Sequence, residues 1–281
     1  MRDCTDAPSN DLAVSGRVER RFGVLLTIAY DGHPFSGWAR QPGRRTVAGE
    51  VQGALWAVDP RASELRGVSR TDRGVHARGQ LAAFDTDQPI EARGWALAVA
   101  RHLPAEIGVV HAARVAPGFE PRAHVLRKTY RYSVLASPVR DPLLEHRAWR
   151  VGHRLNHELM AEEARSLVGE HDFRAFRNAA DRRADTVRRI LRAEVRSAGS
   201  DPRILEICVA ADRFLYHMVR IIAGTVVDVG RGRLEPGSIA RAFGSGSRGD
   251  LGMTAPPDGL LLEKVELDEP VGDGWPPRHG G

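Results

Sequence analysis

The chain has 281 residues, enough for one large domain or two of ordinary size, and 42% of them are apolar, enough to bury a sizeable core. Forty-one basic against 36 acidic residues leave a formal charge of +5, which favours an anionic partner. Two cysteines without C-x-x-C spacing argue against a disulfide framework or a cysteine-built zinc site and suit a reducing cytoplasm, and no apolar run reaches the length of a membrane span.

Residues 1–20 are polar without periodicity and read as a tail, as does the stretch from Glu269 to the end. Val24, Leu26, Ile28 and Tyr30 repeat at period two and stop at Asp31-Gly32, a strand running into a turn. Thr46 precedes an apolar stripe at Val47, Val51, Ala54, Leu55 and Val58 and predicts a capped helix. Strands are predicted near Glu64–Arg70 and over Gln80–Asp85, and a helix over Ile90–Leu103 stops at Pro104. Ile107–Val115 and Lys128–Leu135 read as further strands. After a proline-containing connector at 137–142, a helix over Asn156–Val168 carries Asn156 as cap and Gly169 past its end. Thr186–Arg196 and Arg203–Ala210 pair as strands, and an amphipathic helix marked by Leu215, Met218, Val219, Ile222 and Val226 ends at Gly230. A short helix at Pro236–Phe243, a Gly/Ser loop at 244–250 and a strand over Gly259–Leu267 follow. This order predicts an α+β protein of two related halves, residues 21–137 and 138–268.

The residues with chemistry centre on S-R-T-D-R-G-V-H-A-R-G-Q (69–80), where Asp72 stands between Arg70 and Arg73. A carboxylate so flanked is expected to have a lowered pKa and to be ionised, as a nucleophile or base requires; T-D-x-G also suits a turn in which Asp72 caps its own backbone. In K-T-Y-R-Y (128–132) alternation puts Tyr130 and Tyr132 on one face and Arg131 on the other, a platform for a base or a packed core face. Arg220 in F-L-Y-H-M-V-R (214–220) lies at the edge of a buried helix face, as a snorkelling cation or as the partner of a carboxylate. His153 and His157 lack a third ligand, and G-S-G-S-R-G-D (244–250) lacks the lysine and hydroxyl of a phosphate loop.

Six segments in order carry a resemblance: Y-D-G-H-P-F-S-G-W-A-R-Q (30–41), the 69–80 and 128–132 segments, H-D-F-R-A-F-R (171–177), F-L-Y-H-M-V-R-I-I-A-G (214–224) and A-P-P-D-G-L-L-L (255–262). Together they resemble the tRNA pseudouridine synthase A family over about Arg21 to Leu267. The resemblance implies a pseudouridine synthase fold, two α+β halves whose antiparallel sheets meet at a central cleft. It implies isomerisation of uridine to pseudouridine in the tRNA anticodon stem-loop, positions 38–40, by a homodimer without metal or cofactor. Asp72 falls on the catalytic aspartate, Arg70 and Arg220 on active-site arginines, and Tyr130 on the active-site tyrosine. Arg40, Gln41, Arg73, His76, Arg78, Gln80 and Arg122 are expected to bind the anticodon stem-loop and elbow of tRNA.

The chain departs from the family pattern at Ser69, Arg73, Ala100, Pro121 and Leu261, where glycine, alanine, asparagine, alanine and tyrosine are usual. These positions bear on which uridines are modified. A non-catalytic tRNA-binding paralogue and a synthase of altered specificity are the alternatives, and a two-carboxylate glycosidase would have only Asp31 to offer as its second acid.

Overall fold

A nine-residue strand of nearly continuous burial, β1 (Phe22–Tyr30), lies in the middle of the N-terminal half of a mixed sheet. The protein is described here by a computed structural model covering residues 20–199, 201–268, 271 and 274–276. The expected N-terminal tail lies, but for residue 20, outside the described residues.

In chain order β1 is followed by α1 (Val47–Val58), β2 (Arg66–Gly67), β3 (His76–Thr86), α2 (Ala92–Ala100), β4 (Ile107–Val115) and β5 (Val125–Ala136). Then come β6 (Trp149–Val151), α3 (His157–Arg165), β7 (Gly169–Asp172), β8 (Val187–Ala198), β9 (Asp201–Ala211), α4 (Met218–Gly230), α5 (Ser238–Ser245), β10 (Leu260–Leu267) and β11 (Gly274–Trp275). Thr46 caps α1 by accepting from Gly49 N, and Asn156 caps α3 by accepting from Leu159 N, both as the side-chain chemistry requires.

The main path of the sheet runs β11-β4-β1-β3-β10-β5-β9-β8-β7. On either side of its centre the neighbours are antiparallel, β4-β1-β3 in one half and β10-β5-β9-β8-β7 in the other. The halves are joined by a parallel contact of two residues, Leu261 opposite His76 and Leu262 opposite Ala77. The two antiparallel arrays are therefore one sheet, and the C-terminal strand β10 is its keystone. One apolar cluster runs unbroken from Val24 on β1 to Val265 on β10, through Phe84, Trp95, Tyr132, Met160, Phe173 and Ile222.

Several expectations are corrected here. The strand expected over Glu64–Arg70 shrinks to β2, because Gln80 ties down Ser69 and the chain beyond Gly67 turns towards Asp72. The strand expected from Gln80 starts at His76, so the last five residues of the 69–80 segment belong to the sheet. Gly169 opens β7 instead of merely ending the preceding helix. Within the C-terminal segment expected to be unstructured, Gly274 and Trp275 pair with Ala113 and Ala112 on the outer side of β4.

Candidate active site

The loop between β2 and β3 holds Asp72 through contacts on both sides of it. Tyr30 Oη and Thr71 Oγ1 are 2.7 Å apart, and Trp38 N donates to Thr71 O at 3.0 Å. The buried Gln80 side chain accepts from Ser69 N at 3.1 Å and donates to Ser69 O at 2.6 Å. Gly74, at φ +80°, then turns the chain into β3; a Cβ there would lie 3.0 Å from Pro257 Cγ in an already strained conformation. Loop and strand together aim Asp72 at the start of α4.

The groups that meet Asp72 come from the other half of the chain. Arg220 Nη1 lies 3.5 Å and His217 Nε2 lies 3.4 Å from the same oxygen, Asp72 Oδ2. Arg220 is itself fixed by donating from Nε to Ala255 O at 2.8 Å, while its backbone carbonyl accepts from Ala255 N at 3.0 Å. The segment 255–262 thus braces the guanidinium, and it is braced in turn by Tyr132 Oη donating to Pro256 O at 2.7 Å.

Burial pushes the Asp72 carboxyl above its ordinary range, with the charges of His217 and Arg220 working against that rise. The expectation of a lowered pKa is corrected: Arg70 and Arg73, its sequence neighbours, are exposed and form no ion pair with it. The guanidinium that compensates Asp72 stands 148 residues away at Arg220.

Beside the carboxylate, Tyr130 on β5 is buried with its ring edge-on to Phe214, centroids 5.0 Å apart. Burial, with the Asp72 charge adding to it, pushes the Tyr130 hydroxyl up to about 12, so it is protonated at neutral pH. That state suits a packing platform and leaves the phenol unable to act as a resting base.

An inner recess over Asp72 is lined by Arg70, Thr71, Val75, Tyr130, Leu215 and Arg220 among others, and it opens into a cleft of about 1100 Å³. The cleft is edged by Gln41, Arg70, Arg73, Arg122, Lys128 and Arg183. Its size exceeds that of ordinary small-molecule pockets. A second cavity, of about 750 Å³, lies on the Arg131 side of β5, and its charges are largely matched: Arg131 with Glu206 and Glu263, Arg147 with Asp31. The cleft over Asp72 is the one with spare cations.

Of the residues expected to form the site, the structure brings together Asp72, Arg70, Arg220, Tyr130, Arg73, Arg122 and Gln41. Four others lie elsewhere. His76 is buried in β3, its Nδ1 accepting from Gly32 N at 3.1 Å and its Nε2 3.2 Å from Asp258 O. Arg78 is exposed near Glu263, and Arg40 pairs with Glu64 and covers the Trp56 ring. Gln80 acts on the Ser69 backbone. His217, Lys128 and Phe214 were not among the expected site residues; for His217 the signal was its place one helical turn before Arg220 in F-L-Y-H-M-V-R.

Among the described residues one trio, His33, His146 and Asp258, has metal-ligand atoms within 4.8 Å of one another. Its imidazoles stack at 3.5 Å and 20°, which sets their nitrogen lone pairs side by side instead of converging, and His146 Nδ1 already lies 3.1 Å from Asp258 Oδ1.

Two α+β halves share one sheet, and where they join Asp72 meets Arg220 beside the buried Tyr130, an arrangement in keeping with the pseudouridine synthase class. Residues 164–268 match the family model described as tRNA pseudouridine synthase. Relatives named tRNA pseudouridine synthase A are similar over most of the chain. That of Geobacter sulfurreducens is 40% identical over 87% of this chain and 99% of its own length, and that of Moorella thermoacetica is 40% identical over 86% and 98%. The chain belongs to the tRNA pseudouridine synthase A family. A solved structure of a Cbf5-Nop10-Gar1 complex is similar at a TM-score of 0.32 and 11% identity, covering 90% of this chain and 60% of that one, too remote to bear on the site.

Proposed function

We propose that this protein isomerises uridine to pseudouridine in the anticodon stem-loop of tRNA, at positions 38–40, with Asp72 as the reacting carboxylate. The observation that carries this reading is the convergence of Arg220 and the Asp72 carboxylate beside Tyr130 in a cleft with unpaired cations. In the reaction the C1′–N1 bond breaks, the uracil turns over, C5 bonds to C1′, and the C5 proton is lost while N1 gains one. The formula is unchanged. Asp72 serves by attack on the sugar or the ring, or by removing the C2′ proton to give a glycal; both routes need it ionised.

Arg220 holds the carboxylate charged and oriented, and Tyr130 offers its ring to the uracil. Arg70, exposed at the mouth of the recess, assists in displacing the target base from its stack. Arg73, Arg122 and Gln41 contact the RNA along the cleft. Family membership supports a homodimer working in the cytoplasm, and the mass of the protein in solution tests the dimer. Among the described residues no helix is long and apolar enough to cross a membrane.

The test is incubation with unmodified tRNA followed by chemical mapping of pseudouridine. The intact protein is expected to modify the anticodon stem-loop and the Asp72→Ala variant to give no product. Undiminished product from that variant, or salt-sensitive binding without any isomerisation by intact protein, sinks the reading.

A further inference from the structure

Tyr216 stands at the mouth of the site, and the proposed chemistry leaves it without a task. Among the described residues two large aromatic side chains are more than a third exposed, Trp56 at 37% and Tyr216 at 40%. Trp56 lies under the Arg40 guanidinium and donates its indole N–H to Ala62 O at 3.1 Å. The Tyr216 hydroxyl has no such bond among the described residues. Leu215 and Met218 on either side are buried, so the ring is turned outward from a packed segment. It borders both the recess over Asp72 and the cleft into which the recess opens, a cleft that Arg70, Arg73, Arg183 and Arg213 also line.

The backbone under this exposed ring is held on both sides. Tyr216 N donates to Asp181 Oδ2 at 3.0 Å, and Tyr216 O accepts from Asn178 N at 3.0 Å. Asp181 is buried and its other oxygen accepts from Arg183 N at 3.1 Å, so the loop at 178–183 closes as a clasp. Arg183 Nη1 adds a bond to Phe214 O at 3.4 Å. The next residue, His217, takes a left-handed backbone, φ +65°, which a side chain with a Cβ seldom adopts unless its surroundings impose it. The Tyr216 ring rests on the His217 imidazole, centroids 4.0 Å apart and planes tilted by 38°. One side of the ring is thus backed by protein, and the rest is open to the cleft. A tyrosine has only two side-chain torsions to fix, so a ring mounted in this way meets a ligand at little entropic cost.

We propose that Tyr216 is a second stacking platform, a positioning residue that takes the face of the base next to the target in the RNA strand. Its place relative to the chemistry selects the neighbour over the target. The imidazole that carries the Tyr216 ring also lies 3.4 Å from Asp72 Oδ2, so the tyrosine stands one ring further out than the group beside the carboxylate. The target uracil belongs over Asp72 and Tyr130, and moving it there uncovers a face of each base on which it was stacked. An exposed aromatic ring at the entrance covers one such face. Stacking of this kind accepts any base, because each has a π face. The identity of the target rests on the isomerase reading; the presence of a stacked base does not.

Two arms test the assignment. In the first, labelled unmodified tRNA is titrated at several salt concentrations against the parent, Tyr216→Phe, Tyr216→Leu and Tyr216→Gln. The phenylalanine variant is expected to bind within about threefold of the parent, and the two non-aromatic variants about 5- to 100-fold more weakly. All four are expected to share one salt slope, since a lost stacking contact releases no counterion. Non-aromatic variants that bind as tightly as Tyr216→Phe overturn the proposal. So does a loss shared by Tyr216→Phe, which would assign the contact to the hydroxyl. The glutamine variant keeps the comparison open where the leucine variant does not fold. In the second arm, 2-aminopurine replaces the base on one side or the other of the target uridine. One of the two probes is expected to be dim in complexes with the parent and Tyr216→Phe, and bright with Tyr216→Leu. If neither probe responds to the substitution, the ring does not cover a neighbouring base and the proposal falls. The titration needs no turnover, so a protein that binds in this pattern yet yields no pseudouridine refutes the isomerase reading and leaves the stacking platform in place.

Discussion

Lys128 is one of only two lysines in the chain, and it lies in the wall of the cleft between Arg122 and Arg183. Burial, and then the like charges of Arg122 and Arg183, push its ammonium down to about 8, with Asp212 opposing weakly. A phosphate seated against it reverses that balance and raises the pKa again. Binding of tRNA therefore takes up a proton, and by linkage the affinity falls as pH rises through about 8. The dependence is expected to vanish in Lys128→Ala, whose affinity is lower at pH 7 but flat from there to 9, as titration of labelled tRNA at fixed ionic strength would register. An unchanged slope in the variant places the titration elsewhere. Asp72 has the opposite character. Its carboxyl is raised, so folding favours its protonated form, and the stability it lends at low pH is lost as pH rises through its folded value. The ionised state that the proposed reaction needs is thus maintained against the stability of the fold, and the charges of His217 and Arg220 favour it.

At the scale of elements, the seat of the loop that carries Asp72 is a side chain of the sheet. Gln80 belongs to β3, yet its amide replaces a ladder partner for Ser69, meeting both backbone groups of a residue with no strand neighbour of its own. Gln80→Ala leaves a buried N–H and a buried C=O unpaired, at about 1–3 kcal/mol each, and is expected to lower the melting temperature by several degrees and the isomerisation rate with it. Arg78→Ala, exposed two residues away, is expected to change stability by less than about 0.5 kcal/mol. Equal melting of the two variants would show that the clamp contributes nothing. The same strand shows what local sequence can and cannot say. Thr46 and the stripe behind it define α1 end to end, and the alternation of Ile107–Val115 coincides with β4, because caps and periodicity are properties of neighbouring residues. The start of β3 at His76 was hidden by polar residues buried through bonds to distant partners, Gly32 and Asp258. The candidate site was legible only as a set of ordered motifs that resemble the family: taken singly, Asp72 also suited a capped turn, Tyr130 a core face and Arg220 a snorkelling cation. What periodicity could not supply is pairing, so neither the parallel contact of β10 with β3 nor the binding of His217 by a loop forty residues earlier was written in any one segment.

For the whole molecule, a charge of +5 is modest, and its distribution says more than its sum. Away from the cleft, several arginines are tied to carboxylates: Arg66 to Asp85 and Glu120, Arg131 to Glu206 and Glu263, Arg203 to Asp141 and Asp201. Along the cleft, Arg70, Arg73, Arg122 and Lys128 have no ion pair among the described residues, and Arg122 spends its donors on the carbonyl of Val68. Several cations left without anions along one large cleft are a footprint for polyanionic RNA. Each phosphate they meet releases condensed counterions, so four contacts give a log–log dependence of affinity on salt with a slope of about −3. Replacing Arg73 or Arg122 by alanine is expected to reduce that slope by about 1 each. Arg192→Ala, exposed and already paired with Glu194, is expected to leave it unchanged. Because the phosphate contacts position the RNA without taking part in the bond changes, single-turnover rates at saturating tRNA should be nearly equal in the Arg73 and Arg122 variants and the parent, while Asp72 variants show the reverse. A slope unmoved by either cleft substitution would mean that the RNA follows another face of the protein.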